Sequence, residues 1–324
     1  MCVICVSTAI THIKSAHIMN LMEFNERFPD EHSALMAVKQ LREKQGVICR
    51  KCGHDDHYWQ RTVVSFQCKQ CGARQRLRSG TIMEQSKLPY RMWLMAIHLV
   101  TATKKSFSAL ELQRQLGHNR YEPVWYMLQK IRSVMGKRDA KYQLAGYIEL
   151  DDAFFEIGDP HQKPNKAGRG STGKAGVLVA VKSEPTENQF RRKNRKEGRK
   201  CGNLAMYVVP TINGTQVASL ALAKIDAAAT VHTDGHKSYN KLEQHVNRHH
   251  VTISNEPKRT SKLFPWVHTA ISNAKRVIMG IHHSVHSPFL QNYLNEFCWK
   301  FNRRYDQKNQ FERLLHTGLQ YRWC

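Results

Sequence analysis

The chain is short of acids, has no long apolar run and lacks an even set of cysteines. Asp and Glu total 26 against 50 Lys and Arg, a formal charge of +24 with a pI near 9.8. Such a deficit of negative charge points to a polyanionic partner, because each basic contact to a phosphate releases a condensed counterion. No stretch approaches the ~18 consecutive apolar residues that span a bilayer, and no terminal segment reads as a basic amphipathic helix. Nucleic acid is therefore the better partner than a membrane. The nine cysteines are an odd, unevenly clustered set, which excludes a disulfide framework and makes a reducing cytoplasm the default. Internal repeats are missing, and the one biased tract is Gln189 to Lys200, with seven Lys or Arg in twelve residues. Met1 to Ile18 lack the apolar block and cleavage site of a signal peptide, and a more ordinary amphipathic start follows Met19. Met19 is therefore the expected natural start. With 324 residues there is room for two or three domains and a sizeable core.

The first strong positive signal is Cys49-Arg50-Lys51-Cys52, then fifteen residues, then Cys68-Lys69-Gln70-Cys71. Two such knuckles present four thiolates to one tetrahedral Zn²⁺, and Gly53 and Gly72 supply the turns that follow them. A short hairpin between the knuckles makes the unit a zinc ribbon; His54 and His57 are surplus to a site closed by four cysteines. Ahead of it, Phe24, Phe28, Leu35, Val38 and Leu41 recur at helical spacing, with a helix from Glu31 to near Gln45. Behind it, Leu88 to Arg138 is helical. Ser108 with Glu111 forms a capping pattern, and a short helix ending at Leu116-Gly117 leads to a second from about Glu122 to Ser133. That is a helix-turn-helix pattern, with Arg132 expected on the DNA-facing side. A plain scaffold bundle is the alternative.

From Gly146 onward, strands dominate. Tyr147-Ile148-Glu149-Leu150-Asp151-Asp152-Ala153-Phe154-Phe155 places acids inside an apolar strand, where a carboxylate needs a partner or a metal. Further strands follow at Ala175 to Val181 and Leu204 to Val209, then a helix from Ser219 to Ala229, and Thr230 to Asp234 as a strand ending in an acid. This order suggests one mixed α/β sheet with its site at strand ends. A short helix is expected over Lys241 to Val246, and a last one over Pro288 to Arg304. Asp151 and Asp234, with a third ligand from a later helix, would form an oxygen-rich Mg²⁺ or Mn²⁺ pocket. Two ions about 4 Å apart would clamp an in-line phosphoryl transfer. Asp152 points to the opposite face from Asp151 and reads as a polar neighbour.

Together these motifs carry a resemblance. They continue through Arg169-Gly170…Gly173-Lys174, Thr233-Asp234-Gly235…Tyr239, and His268-x-x-Ile271-Ser272-Asn273-x-Lys275-Arg276…Gly280-x-His282-His283. They end at Leu290-Gln291-x-Tyr293-Leu294-x-Glu296-Phe297…Phe301-Asn302-Arg303-Arg304. From about Met19 to Tyr305 the chain resembles bacterial insertion-sequence transposases with an N-terminal zinc ribbon and a DDE-type, RNase H-like (retroviral-integrase-like) catalytic domain. The resemblance implies metal-dependent cleavage of element ends and strand transfer, double-stranded element and target DNA as partners, a homo-oligomer, and a nucleoid-associated protein of the bacterial cytoplasm. It matches Asp151 and Asp234 to the first two acids. The third slot, Glu in many members, is Asn273 here by similarity to some members; a gapless match on Lys275-Arg276 and Gly280 puts His268 there instead. Lys174, Lys275 and Arg276 are the implied DNA contacts. The expected fold class is multidomain α/β: an N-terminal extension and helical segment (1–45), a zinc ribbon (46–80) and a helix-turn-helix domain (86–140). An RNase H-like mixed sheet flanked by helices (145–305) and a tail (306–324) complete it. A zinc-ribbon regulator with an inactive nuclease-like domain, and a nuclease that cuts without joining, are the alternative functions.

Overall fold

The computed structural model describes residues 18–158, 173–185, 199–253, 264–306 and 308–323. The prefix before Ile18, the turn around Arg169 and Gly170, most of the basic loop from Gln189, and Pro257-Lys258-Arg259 lie outside the described residues.

Asn20 and Asp30 accept the backbone N–H groups of Glu23 and Ser33, at 3.0 and 2.7 Å, and so start helices α1 (Leu21–Arg27) and α2 (Glu31–Gln45). The ribbon follows as three short antiparallel strands, β1 (His57–Gln60), β2 (Ser65–Cys68) and β3 (Arg74–Arg76), rather than as a hairpin alone. Helix α3 (Tyr90–Ala102) begins at Pro89. Its first amides are capped from outside, with Glu31 of α2 accepting from the N–H of Tyr90 at 2.6 Å and of Arg91 at 2.8 Å. Ser108 caps α4 (Ala109–Leu116), Gly117 ends it in the left-handed region (φ 62°), and α5 (Tyr121–Asp139) runs on from there.

The mixed sheet has the order β6-β5-β4-β7-β8. Strands β4 (Tyr147–Glu156), β5 (Lys174–Pro185) and β6 (Arg199–Val209) form an antiparallel meander. Helix α6 (Gly214–Lys224) then returns the chain so that β7 (Thr230–Asp234) pairs parallel with β4, and β8 (Arg248–Thr252) pairs parallel with β7. One face packs on α7 (Pro265–His282) and α8 (Leu290–Asn302) through Phe155, Val177, Val179, Val267, Ala274 and Leu294. The other packs on α6 and two single-turn 3₁₀ segments through Ile148, Leu150, Leu178, Val217 and Tyr239. Helices on both faces of a mixed sheet agree with the expected α/β class. Among the described residues no helix is long and apolar enough to cross a membrane.

Several local expectations need correction. Helix α6 starts at Gly214, not Ser219, because Asn213 caps it by accepting from the N–H of Gln216. The expected helix at Lys241 is a 3₁₀ turn over Leu242–Gln244, and the histidine-rich stretch behind it is the edge strand β8. The expected tail is not a tail. Residues Gln310–Gly318 form helix α9, whose Phe311, Leu314 and Leu315 are buried with Phe24, Phe28, Leu94 and Ile97 in the N-terminal helical core.

The expected succession of helix, turn and helix is present as α4, Gly117 and α5, but most of the second helix is covered. From Met127 to Asp139 no residue of α5 is exposed. That stretch lies between the helical core and α8, where a β-carbon added to Gly136 would stand 2.2 Å from the Asn295 side-chain nitrogen. Arg132, expected on DNA, is 1% exposed and is engaged three times over. It bonds Glu296 of α8 at 2.7 Å, donates to the Phe107 carbonyl at 3.0 Å, and lies 4.1 Å over the Tyr293 ring. An arginine so paired is an internal strut, not a phosphate contact.

Candidate active site

Two clusters concentrate chemistry. In the ribbon the Sγ atoms of Cys49, Cys52, Cys68 and Cys71 all lie within 4.8 Å of one another, with Cys49–Cys71 at 3.6 Å and Cys52–Cys68 at 3.5 Å. Left-handed turns at Gly53 (φ 77°) and Gly72 (φ 70°) close both knuckles, each glycine amide bonding back to the carbonyl of the knuckle's first residue, Cys49 or Cys68. Backbone N–H groups of Cys52 and Lys51 hold the Cys49 thiol down at about 6, where it is a thiolate at neutral pH. Four sulfurs at tetrahedral spacing fit one structural zinc.

The second cluster lies where β4, β7 and α7 meet. A strand sends alternate side chains to opposite faces, so Glu149, Asp151, Ala153 and Phe155 share the face turned to α7. The parallel β4–β7 pairing runs from Tyr147–Thr230 to Glu149–His232, and Asp151 and Asp234 each lie two residues beyond its last pair on these neighbouring strands. Asp151 is 19% exposed, and its Oδ2 lies 3.4 Å from Nδ1 of His268 on α7. Asp234 ends its strand in a turn, its Oδ1 accepting from the N–H of His236 at 3.1 Å. Asp152 faces the other way and accepts from the hydroxyl of buried Tyr239 at 3.1 Å. Burial, followed by the charges of Asp152, Asp151 and Asp234, raises the Tyr239 phenol and keeps it a neutral donor.

A cavity of 630 Å³ opens beside Asp151, lined on the helix side by His268, Ile271, Lys275 and Met279 and on the strand side by Lys174. Those helix positions form one face. Asn273 lies five residues beyond His268, about 140° around the helix, and is not among the lining residues. Of the two side chains expected for the third place, His268 is the one that the structure brings to Asp151, and Asn273 does not line this cavity. Nor is Asn273 a helix cap, since α7 begins at Pro265. Lys275 lies 5.6 Å over the Phe155 ring at the cavity wall, whereas Arg276 is exposed and does not line it.

Glu149 was not read as a site residue. It is 1% exposed, and its Oε2 accepts from the backbone N–H groups of Trp266 at 2.8 Å and Val267 at 2.9 Å, in the first turn of α7. A carboxylate at a helix N-terminus suits both the unpaired amides and the helix dipole. One strand thus supplies Asp151 directly and, through Glu149, sets the position of the helix turn that carries His268. The signal in the sequence was an acid sharing a strand face with Asp151.

With this geometry in place, relatives can be set beside it. A family model described as the ISXO2-like transposase domain matches residues 143–302, and one described as the transposase zinc-ribbon domain matches residues 29–74. The chain belongs to the transposase family. Its sequence is also similar to "Uncharacterized protein in transposable element ISH50" of Halobacterium salinarum, 23% identical over 223 residues, covering 67% of this chain and 71% of that protein. In this transposase-family protein the transposase-domain match takes in β4 through α8 with Asp151 and Asp234, while the ribbon match takes in all four cysteines. Helices α3 to α5 and helix α9 fall outside both matches.

Proposed function

We propose that this chain is a DNA transposase that cuts the ends of its own mobile element and joins the freed 3′-hydroxyls to target DNA. The observation that carries the reading is Asp151 on β4 and Asp234 ending the neighbouring parallel strand β7, with a cavity beside Asp151 walled by Lys174 and Lys275, in a chain matched by transposase models. Two neighbouring carboxylates fit a divalent cation that takes one or two of them and completes its shell with water and phosphate oxygens. When bound there, Mg²⁺ or Mn²⁺ would polarise the scissile phosphate and lower the pKa of the attacking hydroxyl. Among the described residues the cysteines are the one group of three or more candidate ligands with all donor atoms within 4.8 Å. His268 is accordingly assigned to positioning: its Nδ1 lies on the Asp151 carboxylate and steadies it. Lys174 and Lys275 hold the phosphodiester in line with the acids, their charges offsetting the anion brought against two carboxylates. The first step is a hydrolysis and the second a transesterification. Water displaces the element's 3′-oxygen from phosphorus, and that 3′-hydroxyl then displaces a 3′-oxygen of the target strand.

Ribbon and helical core are assigned to binding element ends. Arg74 and Arg76 stand exposed on β3, and α5 is exposed only toward its N-terminus. Pairing two ends calls for at least two copies of the chain, so a homo-oligomer on DNA is part of the proposal. The test is a joining assay on DNA carrying the element's ends, with Mg²⁺ or Mn²⁺. Joining by the wild-type chain, abolished in Asp151→Asn and in Asp234→Asn, supports the reading; unchanged joining in both variants overturns it. Cut ends without joined product would reduce the activity to hydrolysis.

A further inference from the structure

A second cavity lies away from the acids. It has 690 Å³, within the range of about 300–1,000 Å³ typical of small-ligand sites. Its walls come from the segment leaving the ribbon, the exposed start of α5 and the last residues of the chain. Trp93 forms a rigid part of the lining: it is fully buried, and its Nε1 donates to Ser86 Oγ at 3.1 Å. Tyr126 and Trp323 meet edge to face at 6.1 Å, and Lys130 stands 5.7 Å from the Trp323 ring. Lys87, Arg120, Lys130 and Arg322 line the cavity against one acid, Glu84, which is itself bonded to Arg322 at 3.0 Å and to the Gly80 N–H at 3.2 Å. Aromatic faces with surplus positive charge match a flat base bearing a phosphate. A paired base is stacked and out of reach of such a cavity, whereas an unpaired one can enter.

We propose that this cavity binds an unpaired nucleotide of DNA, its base against Trp323 and Tyr126 and its phosphate held by Arg120 and Lys87. The site is separate from the acids, and it also gives α5 a DNA-facing role that its buried length denies it: Pro123 and Tyr126, in the stretch that reaches solvent, line this cavity. The inference rests on the chain being a DNA-binding protein but not on its catalytic residues.

The experiment uses the full zinc-loaded chain without added Mg²⁺ and two short duplexes. One is fully paired; the other carries a single unpaired 2-aminopurine, read by anisotropy and by its own fluorescence. The expected result is about tenfold tighter binding of the unpaired probe, with quenched 2-aminopurine, since stacking on an aromatic side chain is worth about that factor or more. Trp323→Ala should remove the preference and the quenching while leaving affinity for the paired duplex unchanged. Trp323→Phe should keep both, and Arg120→Ala should weaken the preference. Equal, unquenched binding of both probes by the wild-type chain overturns the proposal, as does an equal loss for both probes in Trp323→Ala. Either outcome leaves the assignment of Asp151 and Asp234 standing, because that is decided by joining.

Discussion

Asp151 and Asp152 are sequence neighbours with opposite surroundings, because a strand turns successive side chains to opposite faces. That much was legible from the strand alone, as was a later strand ending in an acid, β7 with Asp234. The third position was not, since helical phase decides it. His268, Ile271 and Lys275 share the cavity face of α7, and Asn273 does not. His268→Ala is therefore expected to lower joining at least about tenfold, in the range found when a group that orients a metal ligand is removed, with Asn273→Ala near wild type. The reverse order in the same assay would return Asn273 to the site. Glu149 acts one step further back. Glu149→Ala leaves two amides of a buried helix start without their acceptor, and losing a buried partner costs about 1–3 kcal/mol per group. Urea unfolding should show a lowered midpoint with an unchanged slope, and Glu149→Gln, which retains an acceptor oxygen, should lose less.

At the scale of elements, α5 changes role most. Its apolar spacing and basic residues read as a recognition helix, and the sequence holds no local mark that Arg132 meets Glu296, 164 residues away. In the fold α5 is the strut between the helical core and the mixed-sheet domain, with Asp139 paired to Arg303 at 2.6 Å at its far end. Arg132→Ala strands a buried carboxylate, and breaking such a pair costs about 3–5 kcal/mol. A drop of that size in unfolding free energy, with no change in the salt dependence of DNA binding, would separate a strut from a phosphate contact. Helix α9 is the other revision. Leu314 is fully buried in the N-terminal core, so Leu314→Ala should cost about 2–5 kcal/mol, measurable by urea unfolding. The ribbon, by contrast, was legible outright, because its ligands sit in two tight local turns. Removing zinc with a chelator should release one equivalent per chain and open residues 47–79 to protease, with the helical core retained.

For the whole molecule, the seam between the helical part and the mixed-sheet part makes stability depend on pH. Burial, then the charge of Arg132, lowers His282 to about 4 from an ordinary 6.5, with Glu296 opposing and His283 adding to the shift; the Tyr293 ring lies 4.6 Å away. Its unfolded state binds the proton first, so full stability holds above 6.5 and declines as pH falls toward 4. Burial pushes Glu296 up, but Arg132 and Lys300 outweigh it and hold the carboxyl at about 2 against an ordinary 4.5. That contribution is present above 4.5 and is lost as pH falls to about 2. Both act in the same direction, so the urea midpoint should fall continuously below about pH 6.5. A midpoint that is flat from neutral pH down to 4 would contradict the burial of His282.

The sequence by itself determined what local spacing can determine: the four-thiolate ribbon, most of the helices and strands in their order, one acid inside a strand and another ending one, and a charge suited to DNA. Tertiary structure decided what depends on distant contacts. The rotation of α7 follows from Val267, Ala270, Ala274 and Ile278 packing on the sheet, and that packing turns His268 rather than Asn273 toward Asp151. The same kind of contact buries Arg132 and draws the chain's end back into its first core. Period and ligand spacing are properties of neighbouring residues. Which face of a helix meets the sheet is set by apolar area buried against segments more than a hundred residues away, and no local pattern encodes that choice.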